Sequence, residues 1–243
     1  MEIHAHTHTP RKKWTHYFWE FLMLFLAVFC GFLAEYQLEH TIENQREIKY
    51  MKSMLEDLKS DSAMLSLNVK LRQERIQMAD SLVVMLNSPL RNEKGNDIYF
   101  FARSISPPTN IFPNDGTIQQ LKSSGNLRLI RNINISSSIM AYDQKMRTVL
   151  FEMGDEVEIR AEYRQLARKI FYTNVFHEMI SGDMINRPAN NPQLFTKDNL
   201  LINEFIGQVQ YLKRVHQAQL IRSKELLTQA EQLKAQIKKE YHL

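Results

Sequence analysis

Phe21-Leu-Met-Leu-Phe-Leu-Ala-Val-Phe-Cys-Gly-Phe-Leu-Ala34 carries no charge, no proline and no strongly polar side chain, and the rest of the chain is arranged around it. Trp14, Tyr17, Phe18 and Trp19 precede it and Tyr36 follows. From Tyr17 to Tyr36 is 20 residues, about 30 Å of helix, the thickness of one bilayer core. Aromatic rings at both margins suit the two membrane–water interfaces. The stretch therefore reads as a transmembrane helix over residues 17–36.

Two other readings compete. A buried core helix could be this apolar, but Glu20 and Glu35 sit where carboxylates reach headgroups. A cleaved leader would use Arg11, Lys12 and Lys13 as its basic region, yet small residues at −3 and −1 are wanted, and before Glu35 those positions hold Phe32 and Ala34. A lipoprotein reading of Cys30 meets the bulky Phe29. An uncleaved anchor fits best. The three basic residues precede the span, and the first after it is Arg46. Residues 1–16 are therefore expected to be a cytoplasmic tail, and the bulk of the chain periplasmic, in a bacterial inner membrane. Glu20, Cys30 and Gly31 would be membrane-embedded.

Beyond the span about 205 residues remain, enough for one large or two small domains. Seven Gly and seven Pro are few, which favours long helices over sheet. The net charge of +4 is spread among acidic residues, so a nucleic-acid partner has little support. Cys30 is the only cysteine, and disulfides play no part in the outer domain.

No Pro or Gly interrupts 37–86, so the membrane helix is expected to continue as a stalk over 37–88. Ile48, Met51, Leu55, Leu58, Ser62, Leu65, Val69, Arg72, Ile76, Ala79, Val83 and Leu86 alternate in steps of three and four, a heptad seam. Asn87-Ser88-Pro89 ends it. Residues 89–135, with turns, Pro107, Pro108 and Pro113, read as a short-helix cap. Gly125 fits a left-handed residue closing a short helix whose start at Thr117 has capping-box spacing. A second long helix is expected from Ser137 to about Ile180, capped by Ser136, with Ile139, Met146, Val149, Leu150, Met153, Val157, Leu166, Ile170, Phe171 and Val175 inward. Asp198 caps a third, whose seam is Ile202, Phe205, Val209, Leu212, His216, Gln219, Ser223, Leu226, Ala230, Leu233 and Ile237. The fold class is all-α: a transmembrane helix continuing into a stalk, and an antiparallel, coiled-coil-like bundle of three long helices. Residues 136–243 complete it, with the 181–197 loop at the membrane end and the C-terminus at the other.

Several segments resemble a family of uncharacterised (domain-of-unknown-function) single-span envelope proteins of Gram-negative bacteria. They are the run from Glu20 to Gln37, Glu43-Asn-Gln-Arg-Glu47, Leu55-Glu-Asp-Leu-Lys-Ser-Asp61, and Leu121-Lys-Ser-Ser-Gly-Asn-Leu-Arg-Leu-Ile130 with Tyr142 downstream. The resemblance covers most of 20–145. It implies location and architecture and carries no catalytic residues across.

Candidate chemistry is sparse. His4, His6 and His8 alternate and could ligate a metal from an extended strand, but a flexible tail without a fourth donor makes a weak site. Glu20 could be an ion-coupled carboxylate; its place at the edge of the apolar run favours snorkelling or pairing with Lys13 or His16. His216, Gln219 and Ser223 with Ser62, Arg160 and Arg164 form a polar layer that could set register, or line a ligand pocket. Tyr99, Phe100, Phe101 and Phe112, with Ile111, make either a small core or a partner surface. His177, Glu178 and Asp183 cluster without a nucleophile or oxyanion site. No cofactor is implied and no enzyme. The expected partners are membrane lipid, other copies of the chain and other envelope membrane proteins. The runner-up is a ligand-sensing bundle that signals through its span, although a short inner tail leaves it no output domain.

Overall fold

The computed structural model describes residues 14–243; His4, His6, His8 and the basic Arg11, Lys12 and Lys13 lie outside the described residues. The chain forms two compact units, 1–49 and 50–243. It is helical almost throughout: α1 (Trp14–Asn87), α2 (Gly95–Ser104), α3 (Gly116–Ser123), α4 (Ile133–Glu152), α5 (Asp155–Ile170), α6 (Thr173–Glu178) and α7 (Asn199–Tyr241), with a hairpin of β1 (Ile180–Ser181) and β2 (Met184–Ile185).

In the first unit, α1 is long and apolar enough to cross a membrane, and none of its most apolar stretch is buried by the protein. Phe21, Phe25 and Phe29 stack one turn apart, at 6.2 and 5.9 Å between ring centres. Glu20 lies 3.1 Å from His16 across one turn, the pairing expected of an edge carboxylate.

In the second unit three helical layers pack on one another. Lys145–Glu225, Arg222–Glu152 and Gln208–Ile159 contacts show α7 antiparallel to α4 and α5. Asn68–Ser223, Arg72–His216 and Lys213–Asp80 show it antiparallel to α1. Tyr142 meets Asp61 and Glu156 meets Arg72, so α4 and α5 run parallel to α1. This corrects the antiparallel order expected for the first two layers. The loop 181–197 packs at the Asn87 end of α1, where Asn191 bonds Gly95 and Asn92 and Arg187 pairs with Asp97. Ile237 joins the core with Met51, at the opposite end.

The parallel order is possible because residues 89–135 do not form a compact cap. Helix α2 stays at the Asn87 end, in a core with Leu82, Leu86, Ile170 and Phe205. The chain then runs back along α1 as an extended strap, 105–115, and α3 packs at the other end with Met54, Leu58 and Ile139. Two apolar cores result, one at each end, and the strap lies between them.

The second long helix is three pieces, interrupted at Met153-Gly154 and again after Ile170. Its cap is Asn132, whose side chain accepts from the Asn134 and Ile135 amides, not Ser136. The start of α3 also differs: the Thr117 amide donates to Asp57 of α1 at 3.1 Å. Gly125 is left-handed at φ 66°, and Asp198 accepts from the Leu200 and Leu201 amides, both as expected.

Candidate functional site

The seam that α1 buries is Met51, Met54, Leu58, Asp61, Leu65, Asn68, Arg72, Arg75, Ala79, Leu82 and Leu86. Its alternation of three and four is that of a heptad. Every second position agrees with the sequence reading; the others fall one residue earlier. Asp61, Asn68 and Arg75 thus occupy the inner face in place of Ser62, Val69 and Ile76, although Ser62 beside them is buried too. The same displacement occurs on α5, where Glu156 is 1 % exposed and Val157 62 %.

These polar groups hold the strap. An extended segment has no internal hydrogen bonds, so its buried backbone must find partners elsewhere. The Asn114 amide donates to Asp61 Oδ1 at 2.8 Å. Asn68 Nδ2 and Arg72 Nη2 both donate to the Thr109 carbonyl, at 3.3 and 3.2 Å. Arg75 Nη1 donates to the Pro107 carbonyl at 2.6 Å and to the Thr109 hydroxyl. From the opposite side Arg164 Nη2 reaches the Ser106 carbonyl at 2.9 Å.

At the centre Arg72 is fully buried. Its Nε donates to Asn68 Oδ1 (3.0 Å), Nη1 to His216 Nδ1 (3.1 Å) and Nη2 to Glu156 Oε2 (3.1 Å). Glu156 also accepts from Arg160, and Ser223 donates to Asn68 at 3.1 Å. Since Arg72 can only donate, Nδ1 of His216 accepts and the ring is neutral with its proton on Nε2. Burial holds the His216 pKa down at about 4; Glu156 opposes this, while Arg72 and Arg75 add to it. Burial also lowers Arg75 to about 10, helped by Arg72. Asp61 is pushed up by burial, against the hydrogen bonds from Asn114 and Tyr142 that favour its charge. The Tyr142 hydroxyl donates to Asp61 Oδ2 at 2.7 Å, and its own pKa rises through burial and that neighbour.

Of the six residues expected in a polar layer, the structure brings Arg160, His216 and Ser223 into one network. Gln219 is buried on the same face. Ser62 is buried one residue beyond Asp61, and Arg164 turns outward to the strap and a surface cleft. Asn68, Arg75, Thr109 and Glu156 were missed. For Asn68 and Arg75 the signal is their seven-residue spacing with Asp61; Thr109 and Glu156 carry none. The aromatic group divides: Tyr99 is fully buried, Phe100 and Phe101 lie half-buried under the Arg187 guanidinium, and Phe112 is 74 % exposed. His177 is exposed and forms no cluster of metal-binding groups; none occurs among the described residues.

An open cleft of about 570 Å³ lies between α2, α5 and α6, with Arg103, Arg164, Arg168 and His177 on its walls and Phe176 and Ile180 among its apolar surface. Nothing in the polar network supplies a nucleophile with a base, and the network is closed off by the strap.

Comparison with known protein families, with characterised proteins and with solved structures returns no match.

Proposed function

We propose that this chain is a membrane-anchored, non-enzymatic structural or accessory subunit of a bacterial envelope complex, acting through helical association. In this reading 17–36 is the span, the N-terminus is cytoplasmic and the helical body is periplasmic, as the resemblance noted above also implies. The observation that carries it is the outer surface of α1 before residue 37. Met23, Leu24, Leu26, Val28 and Phe29 are each between 44 and 74 % exposed, and at 3.6 residues per turn they fall on every side of the helix. An apolar surface continuous around a helix is not one that water solvates; lipid or other apolar helices must cover it. The body differs: it gathers apolar residues into two buried cores, and those left exposed, such as Val84 and Ile221, do not form a stretch that runs round a helix.

The experiment is crosslinking through Cys30, which is exposed on that surface, in native membranes, with the mass of the product measured in mild detergent. A defined oligomer or a defined hetero-complex is the expected result. A chain that remains monomeric and uncrosslinked at all concentrations refutes association.

A second reading, a ligand-sensing body coupled to the span, is favoured by one observation, the cleft beside α5. It predicts that a small molecule raises the melting temperature of the full chain.

A further inference from the structure

The cleft between α2, α5 and α6 is unusual in its charge. It is lined by Arg103, Arg164, Arg168 and His177, and neither Asp nor Glu contributes to its wall. None of the three arginines forms an ion pair with a carboxylate among the described residues, whereas Arg72, Arg147, Arg160, Arg187 and Arg222 all do. Arg164 spends its donors on the Ser106 carbonyl and hydroxyl. Arg103 goes further: its Nε is buried with no hydrogen-bond partner among the described residues. A guanidinium nitrogen removed from water without an acceptor is costly, and the natural remedy is an anion. Crowding of like charge acts in the same sense. Burial lowers the Arg164 pKa, and the neighbouring Arg160 and Arg103 lower it further.

The rest of the wall combines the neutral polar Ser106, Gln165 and Thr173 with an apolar part. Phe176 and Ile180 from the α6–β1 segment face Ala102 of α2 and Ala167 of α5. The Tyr163 hydroxyl is committed, donating to the Ala102 carbonyl at 2.7 Å, and the Ser106 hydroxyl accepts from Arg164 Nε. The volume lies within the range, roughly 300–1,000 Å³, of sites for small molecules.

We propose that this cleft binds a small organic anion, a phosphate or carboxylate head held by Arg103, Arg164 and Arg168 with an apolar body against Phe176 and Ile180. Planar guanidinium groups match both heads in a bidentate fashion. The proposal rests on the cleft alone and not on membrane anchoring or association, so either can fail without the other.

The test uses the full chain in zwitterionic nanodiscs, titrated calorimetrically with phenyl phosphate. Inorganic phosphate supplies the head without the body, and benzyltrimethylammonium the body with opposite charge. The expected result is saturable binding of phenyl phosphate, weaker binding of inorganic phosphate, and none of the ammonium compound. Arg103→Gln and Arg168→Gln should each weaken phenyl phosphate about tenfold, the loss of one charge-assisted hydrogen-bonding group. Arg168→Glu, on an exposed side chain, keeps the fold and should abolish binding even if Arg103→Gln fails to fold. Absence of saturable binding overturns the proposal. So does binding unchanged by the Arg168 variants, or inorganic phosphate or the ammonium compound binding as tightly as phenyl phosphate.

Discussion

Before residue 37, α1 turns the consecutive Met23, Leu24 and Phe25 outward, each more than half exposed, with no face preferred. From Met51 to Leu86 the same helix buries one residue every three or four, and four of those, Asp61, Asn68, Arg72 and Arg75, are polar. Lipid, the surroundings proposed for the first stretch, asks only that side chains be apolar, so composition would be the whole message there. A protein partner asks for a particular group at a particular place. In α1 those groups answer the backbone of the strap, Asp61 accepting an amide and the others donating to carbonyls. Substitution should therefore be tolerated in the first stretch by chemical type, and in the second only by position.

The largest departure is expected at the centre of the network. Arg72→Met removes the partner of Glu156, His216, Asn68 and the Thr109 carbonyl together, and should cost about 3 to 5 kcal/mol in denaturant unfolding. A loss below about 1 kcal/mol would mean that the strap is held by its apolar residues alone.

Acid comes next. His216 has its folded pKa depressed from 6.5 to about 4, so the unfolded chain binds the proton first. Its contribution is complete above pH 6.5 and is lost as pH falls toward 4, by up to about 3 kcal/mol at 1.36 kcal/mol per unit. Asp61, whose pKa is raised, works in the other direction: the stability linked to it is present at low pH and lost as pH rises through its folded value. The difference between wild type and His216→Gln across this window isolates the histidine. Parallel stability curves would contradict the neutral, accepting ring.

Tyr142→Phe deletes one hydrogen bond to a buried carboxylate and should destabilise the body by about 1 to 3 kcal/mol. The Asp61 bond to Asn114 should survive, visible as retained amide-exchange protection of the strap. Asp198→Ala removes the cap of α7 and should cost about 1 kcal/mol. At the bottom of the scale, Phe25→Leu should leave the melting of the body unchanged and the proposed span intact, since one apolar side chain replaces another.

Much of this was legible in the sequence, and what was not shares one cause. The seam of α7 was found residue by residue, because its polar members His216, Gln219 and Ser223 are flanked by apolar residues that fix the phase. In α1 the apolar periodicity takes in Val69 and Ile76, whereas the structure buries Asn68 and Arg75. On α5 Val157 was preferred to Glu156 in the same way. A periodicity argument assumes that the inner face is the apolar one, and it fails where buried polar residues satisfy a third element. The strap itself gave no periodic signal, so nothing revealed that α1 would need such residues, nor that the chain would be carried back to start α4 parallel to α1. The cleft was hidden for a different reason. Arg164 reads in the sequence as part of the polar layer and Arg103 and Arg168 carry no pattern; only the packing of α2 and α5 sets all three on one cleft.

Where the full chain partitions is the most direct test of the proposed span. Membranes carrying it should be washed with alkaline carbonate and sedimented, and the chain followed in pellet and supernatant. Retention in the pellet, with release of a still-helical body once residues 14–36 are deleted, is the predicted result. Recovery of the intact chain in the supernatant as a monodisperse monomer would contradict it.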